Sequence, residues 1–219
     1  MKNALLFLSA MQVLILSCTD QPSSKTKNIT AEAQETETPD PNRVLSFKEF
    51  AIKLDSAGIY DEEGQLSELL GDSVYLYLDI GASIEGVKLT LEGVSGADSI
   101  VVEQCYETSL GVSDEGPHCD LLDWKHYRSP WKKIRQTGPG VFVCDSYSTA
   151  ESRKFPVVSR EEVKSAVAAQ CGEEWGDMVK SATGYPCEVG ISNYYLCIKG
   201  RISGKSVRKI IVFECSMGC

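Results

Sequence analysis

Aliphatic and polar residues alternate in two stretches of the first half of the chain. Every second residue is aliphatic from Val74 to Ile80 and again from Val87 to Leu91, which is the pattern of a β-strand with one buried face. Further apolar runs of strand length occupy residues 100–106, 141–144, 194–199 and 207–215. The last two are separated by a short polar segment and predict a hairpin. The pattern therefore indicates a largely antiparallel sheet.

Two other segments carry helix signals. Ser46 and Glu49 have the spacing of a capping box, and apolar residues at helical spacing follow as far as Gly58. Ser159 and Glu162 repeat the signal ahead of a second apolar helical face. We therefore expect an α+β fold, in which a few helices flank a largely antiparallel sheet.

The N-terminus carries a different apolar pattern. Lys2 precedes a run from Ala4 to Leu16 in which only Ser9 and Gln12 are polar. As a helix this run would extend about 20 Å, too short for a bilayer core of about 30 Å. A positive residue followed by an apolar run of this length is typical of a signal peptide, which we place at residues 1–17.

The residues that end this run are Ile15, Leu16, Ser17 and Cys18. They resemble the lipobox of bacterial lipoproteins, in which an aliphatic residue, a variable residue and a small residue precede the cysteine. The resemblance covers residues 1–18 only. It implies that Cys18 carries a lipid anchor, that the protein works in the cell envelope, and, since Thr19 rather than aspartate follows, that it is sorted to the outer membrane. An ordinary secretory signal, which would leave a soluble protein, is the alternative.

Composition divides the rest of the chain. Residues 19–43 contain no aromatic residue and few apolar ones, so they cannot bury enough surface to offset the entropy of ordering. We expect a lipidated cysteine and disordered tether at 18–43, followed by a single globular domain at 44–219, which is long enough for a sizeable core.

Cysteine usage agrees with export. Without Cys18, eight cysteines remain, an even number that predicts up to four disulfides in an exported domain. The proposed hairpin also suggests a bond between Cys187 and Cys219. The eight candidates are Cys105, Cys119, Cys144, Cys171, Cys187, Cys197, Cys215 and Cys219.

Residues 118–135 combine both histidines, two of the three tryptophans and several basic residues. Aromatic faces beside positive charges suit a glycan, peptidoglycan or protein ligand, although core packing with a solvated basic surface explains the same composition. The candidate ligand-binding residues are Trp124, Tyr127, Arg128, Trp131 and Lys132.

Charge and motif content restrict the chemistry. The formal net charge of −9 argues against nucleic acid as a partner. We expect no metal ion and no cofactor, because His118, Asp123 and His126 lack the spacing of a known metal motif.

The favoured function is a non-enzymatic binding or accessory domain of an envelope lipoprotein, held at the membrane by its anchor, with a protein or glycan as ligand. No complete catalytic signature is present, so we assign no catalytic residue. Two alternatives stay open. One is an extracytoplasmic hydrolase that uses Asp120, Asp123 and His126; the other is an inhibitor of an extracellular enzyme that inserts the segment Tyr106–Pro117.

Overall fold

The computed structural model describes residues 42–55, 59–60, 72–79, 81–93, 100–113, 119–121, 124–147 and 149–215. The predicted signal peptide, Cys18 and nearly all of the predicted tether lie outside these residues. By their contacts, residues 39–219 group into one compact unit. Its first strand starts at Asn42, two residues inside the segment assigned to the tether.

Thirteen strands and three short helices are described. The strands are β1 (Asn42–Ser46), β2 (Ala51–Asp55), β3 (Ile59–Tyr60), β4 (Ser73–Leu78), β5 (Lys88–Glu92), β6 (Val101–Val112), β7 (Cys119–Asp120), β8 (Tyr127–Arg128), β9 (Lys132–Lys133), β10 (Arg135–Gly138), β11 (Val141–Val143), β12 (Cys187–Ile202) and β13 (Lys205–Cys215). The helices are α1 (Thr149–Ser152), α2 (Arg160–Cys171) and α3 (Glu173–Met178). Each described helix is too short or too polar to cross a bilayer.

The strands form two sheets. Sheet A has the order β1-β2-β5-β11-β10, and sheet B the order β3-β4-β13-β12-β6-β7, with β8 and β9 also pairing with β6. All described pairs are antiparallel except β4 with β13.

Two hydrophobic cores lie on one face of sheet B, between the sheet and the elements that pack on it. At one end sheet A packs on it, and Leu54 and Leu89 of sheet A join Leu196 and Phe213 of sheet B in the larger core. At the other end the helices pack on the same strands, with Val163 among the buried residues of the smaller core. The opposite face of sheet B, called the outer face below, carries the alternate residues of each strand.

The α+β prediction is wrong. The described chain is mostly strand in two sheets, and its longest helix has 12 residues. The helix expected to begin at Ser46 is instead the β1–β2 hairpin, in which Ser46 pairs with Ala51. Leu45, Ile52 and Leu54 are fully buried, so a period of two explains this segment better than the helical period. The capping box at Ser159 is confirmed, since its side chain accepts from the backbone of Glu162 at the start of α2.

The prediction that the eight remaining cysteines form disulfides is also wrong for five of them. Free thiols are found at Cys105, Cys144, Cys187, Cys197 and Cys215. These residues lie on or beside strands and are packed as small apolar residues. Because Cys187 is free, its expected bond to Cys219 is wrong as well, and Cys219 lies outside the described residues. Cys171 does form a disulfide, but no second cysteine of a pair is among the described side chains.

Candidate functional site

The outer face of sheet B is set by the alternation of residues along β12 from Asn193 onward. Tyr194, Leu196 and Ile198 point into the core and are buried. Tyr195 and Lys199, at intervening positions, therefore project on the other side. Strand register then brings residues of β6, β9 and β13 beside them.

Tyr195 is the centre of this face. The Arg128 guanidinium lies over its ring, 4.2 Å from the ring centroid. Trp131 meets the same ring edge to face, with centroids 6.5 Å apart, and 38% of Trp131 is exposed. We call Tyr195, Trp131, Arg128 and Glu107 the platform.

Glu107 connects the platform by hydrogen bonds. The Tyr195 hydroxyl donates a hydrogen bond to Glu107 Oε2, and Arg128 Nη2 donates to the same oxygen at 3.0 Å. Burial alone would raise the pKa of Glu107, but these two donors outweigh it and hold the pKa below its usual range. Burial, followed by the bond to Glu107, raises the pKa of Tyr195. At neutral pH the platform thus contains a carboxylate, a neutral phenol and a guanidinium.

A second group of charges lies on the same face, nearer the β12–β13 turn. Lys199 and Arg208 are paired in register, and Lys133 is opposite Glu103. Lys199 Nζ forms an ion pair with Glu103 at 2.6 Å. Arg201 is two residues beyond Lys199 and is exposed. We call Lys133, Lys199, Arg201 and Arg208 the basic patch.

The structure separates the five predicted binding residues. Arg128 and Trp131 join the platform. Tyr127 instead donates a hydrogen bond to Glu151 Oε2 at 3.1 Å, and Lys132 forms an ion pair with Asp145 at 3.2 Å. Trp124 packs against the smaller core.

Trp124 also lines a different surface feature. An open groove of about 760 Å³ runs along α2, lined in part by Trp124, Ser165, Ala166 and Ala169. Lys125 lies beside it and is paired with Glu162 at 2.7 Å. No described contact joins Trp124 to Trp131, and the two tryptophans line different surface features.

Most residues of the hydrolase alternative lie wholly or partly outside the described part of the chain. Asp123 and the side chain of Asp120 lie outside the described residues, as does His118. His126 Nδ1 is buried and has no hydrogen-bond partner in the described part of the chain. The predicted inhibitory segment Tyr106–Pro117 is strand β6 as far as Val112, so it is not a protruding loop along that length.

Two thiols lie on the outer face near the platform. Cys105 is opposite Tyr195 in register and Cys197 opposite Glu103, and both are buried. Burial raises the pKa of Cys105 to about 12, although Arg128 acts in the opposite direction. Such a thiol stays protonated at neutral pH and is not a nucleophile.

Sequence reasoning missed Tyr195, Glu107 and most of the basic patch. The available signal was the alternation in β12, where Tyr195, Cys197, Lys199 and Arg201 occupy every second position. It identified a strand but not the neighbours of each residue, because register is set by packing and turn geometry.

Comparison with protein-family models, with curated proteins and with solved structures finds no match to this chain.

Proposed function

We propose that this protein is an exported lipoprotein whose β-rich domain binds a glycan non-enzymatically through the platform on sheet B. The observation that carries the proposal is the partly exposed Trp131 held edge to face against Tyr195, with the charged groups of Glu107 and Arg128 also in contact with Tyr195.

The platform combines the two kinds of contact that a sugar ring offers. Its C–H faces pack on aromatic rings, and its hydroxyls bond to fixed polar groups. Arg128 has donors that are not used by Glu107, since a guanidinium carries five N–H groups. Tyr195 is held in place by Trp131 and by the Arg128 guanidinium over its ring, which lowers the entropy lost on binding.

The electrostatics favour binding over hydrolysis. A glycosidase needs one carboxylic acid that stays protonated near neutral pH, so its pKa must be raised. The pKa of Glu107 is shifted in the opposite direction. A carboxylate held by two donors is suited to accept hydrogen bonds from sugar hydroxyls rather than to donate a proton.

The location of the protein is part of the proposal. Its support is the sequence from Lys2 to Cys18 alone, which favours export, lipidation of Cys18 and retention at a bacterial membrane, with the outer membrane preferred. A tether of the length expected for residues 18–43 would give the platform freedom to reach an envelope glycan.

The test is binding of the full-length protein, in detergent, to immobilised glycans of varied composition. Trp131→Ala should weaken binding to every recognised glycan at least tenfold, because the exposed ring supplies much of the stacking surface. Tyr185→Ala is the matched control, since Tyr185 is 66% exposed but lies outside sheet B. Equal affinity of Trp131→Ala and the unmodified protein would refute the proposal, as would binding only to protein ligands.

A further inference from the structure

Charge is unevenly distributed along the outer face of sheet B. The basic patch has four cationic side chains and Glu103 as its one described anionic neighbour. Lys133, Arg201 and Arg208 form no ion pair with any described residue, and all three are exposed. The patch therefore keeps a net positive charge.

This positive region stands out because the chain as a whole is acidic, with a formal net charge of −9. Like charges on neighbouring strands repel one another, so grouping four cations on adjacent strands is unfavourable. The solvation of an acidic protein surface does not require such a group of positive charges. Clustered, unpaired cations on one face instead favour an anionic ligand.

The patch and the platform share strand β12. Lys199 is four residues from Tyr195 on the same face, a separation of about 13 Å along an extended strand. Arg201 continues the same line, and Arg208 lies beside Lys199 on β13. A chain molecule stacked on Trp131 and following β12 would reach the patch with its next units.

We propose that the ligand is an acidic glycan, a sugar polymer with carboxylate or phosphate groups, which places a ring on the platform and its negative groups on the basic patch. This inference rests on the proposed function and specifies its ligand. The platform supplies stacking, and the patch supplies selection for charge. Arg201 and Arg208 can each hold a carboxylate or phosphate in a bidentate manner.

An anionic membrane fits this face less well than a polymer. Glu107 lies at the platform, and Glu214 shares its row of the sheet through Asn193. A lipid surface that contacted the patch as a plane would also approach these carboxylates. A narrow polymer can meet the cations without covering Glu214.

The experiment uses matched pairs of polymers that differ only in charge, with the full-length protein in detergent. Polygalacturonate is compared with its methyl ester, hyaluronan with its methyl ester, and phosphorylated dextran with dextran. We expect one acidic member to bind at least tenfold more tightly than its neutral partner, with the difference shrinking as salt rises from 50 to 500 mM, since exposed charges are screened.

Charge reversal locates the effect. Arg201→Glu with Arg208→Glu should remove most of the preference for the acidic polymer and leave binding of the neutral one unchanged. Lys88→Glu with Lys180→Glu changes the net charge equally at exposed positions outside sheet B and should have no effect. Binding to anionic lipid vesicles is measured in parallel, because an anionic membrane is the alternative ligand.

The outcomes separate the two proposals. Acidic and neutral polymers that bind equally, with both dependent on Trp131, would overturn the acidic ligand and leave glycan binding intact. Acidic binding that Trp131→Ala does not change would overturn the platform. Binding to vesicles together with no binding to any of the polymers would overturn both.

Discussion

Removing the hydroxyl of Tyr195 tests whether the platform is a rigid, charge-assisted network. Tyr195→Phe keeps the ring on which Arg128 and Trp131 pack and deletes only the donor to Glu107. A hydrogen bond to a charged group contributes about 1.5–3 kcal/mol. Glu107 is only 15% exposed, so water replaces the lost donor poorly, and we expect the free energy of unfolding at pH 7 to fall by about 2 kcal/mol.

The same substitution should act in a pH-dependent way. The folded pKa of Glu107 lies below its unfolded value, so its contribution is fully present above the unfolded pKa and is lost as pH falls through the folded pKa. With the donor gone, the folded pKa rises toward the unfolded one. The destabilisation by Tyr195→Phe should therefore be largest near neutral pH and should shrink below about pH 4.

The assay is guanidinium chloride unfolding followed by circular dichroism, without reductant, at pH 7 and pH 3. Tyr75→Phe is the control, because Tyr75 is 57% exposed on the same face, and it should change stability by less than about 0.5 kcal/mol. A double-mutant cycle with Glu107→Gln isolates the pair and should give a coupling of about 1–2 kcal/mol at pH 7. Coupling below about 0.5 kcal/mol, or an equal loss at both pH values, would refute the network.

Two further predictions concern the cysteines. In native buffer Cys105, Cys144 and Cys187 should resist alkylation by iodoacetamide, because they are buried and burial raises the pKa of each thiol. In denaturant without reductant, peptide mass spectrometry should find all three cysteines alkylated. Unlabelled peptides under those conditions would mean that these cysteines are in disulfides. Cys18→Ala should move the expressed protein from the membrane fraction to the soluble fraction; a variant still retained in washed membranes would contradict lipid anchoring at that residue.

The success of the sequence prediction depended on whether a signal was local. The capping box at Ser159 begins α2 as expected, because a cap is completed within one turn. The hairpin of β12 and β13 was also predicted, since its two strands are adjacent in sequence. Ser46 and Glu49 carried a similar local signal, but pairing of β1 with β2 and burial of Leu45 and Ile52 outweighed it.

The candidate site could be predicted only in part for the same reason. Arg128 and Trp131 were identified by composition, since aromatic and basic residues are close in the chain. Their partner Tyr195 is more than 60 residues away in sequence and meets them only because β6 lies between β8 and β12. No pattern within one segment contains that information.

The even cysteine count misled because parity does not distinguish a bonded cysteine from a buried one. Cys144 is enclosed in the larger core and Cys187 in the smaller one, where a thiol packs as a small apolar side chain. Geometry decides whether two such residues can bond. The free thiols contradict the predicted disulfides of the domain and do not affect the prediction that Cys18 is lipidated.

A single extra residue in β12 allows one strand to serve both cores and the outer face. Ile191 pairs with Thr108 and Asn193 with Glu107, so Ser192 is a bulge. Its hydroxyl donates to the Glu107 carbonyl at 3.3 Å, which fixes the backbone where the register changes. Without the bulge, alternation would place Tyr195 on the same face as Ile191. Either Tyr195 would then face the core, or the part of β12 before Ser192 would face away from the helices. Ser192 thereby determines that the platform faces outward, although it contacts no part of the proposed ligand surface except the backbone of Glu107.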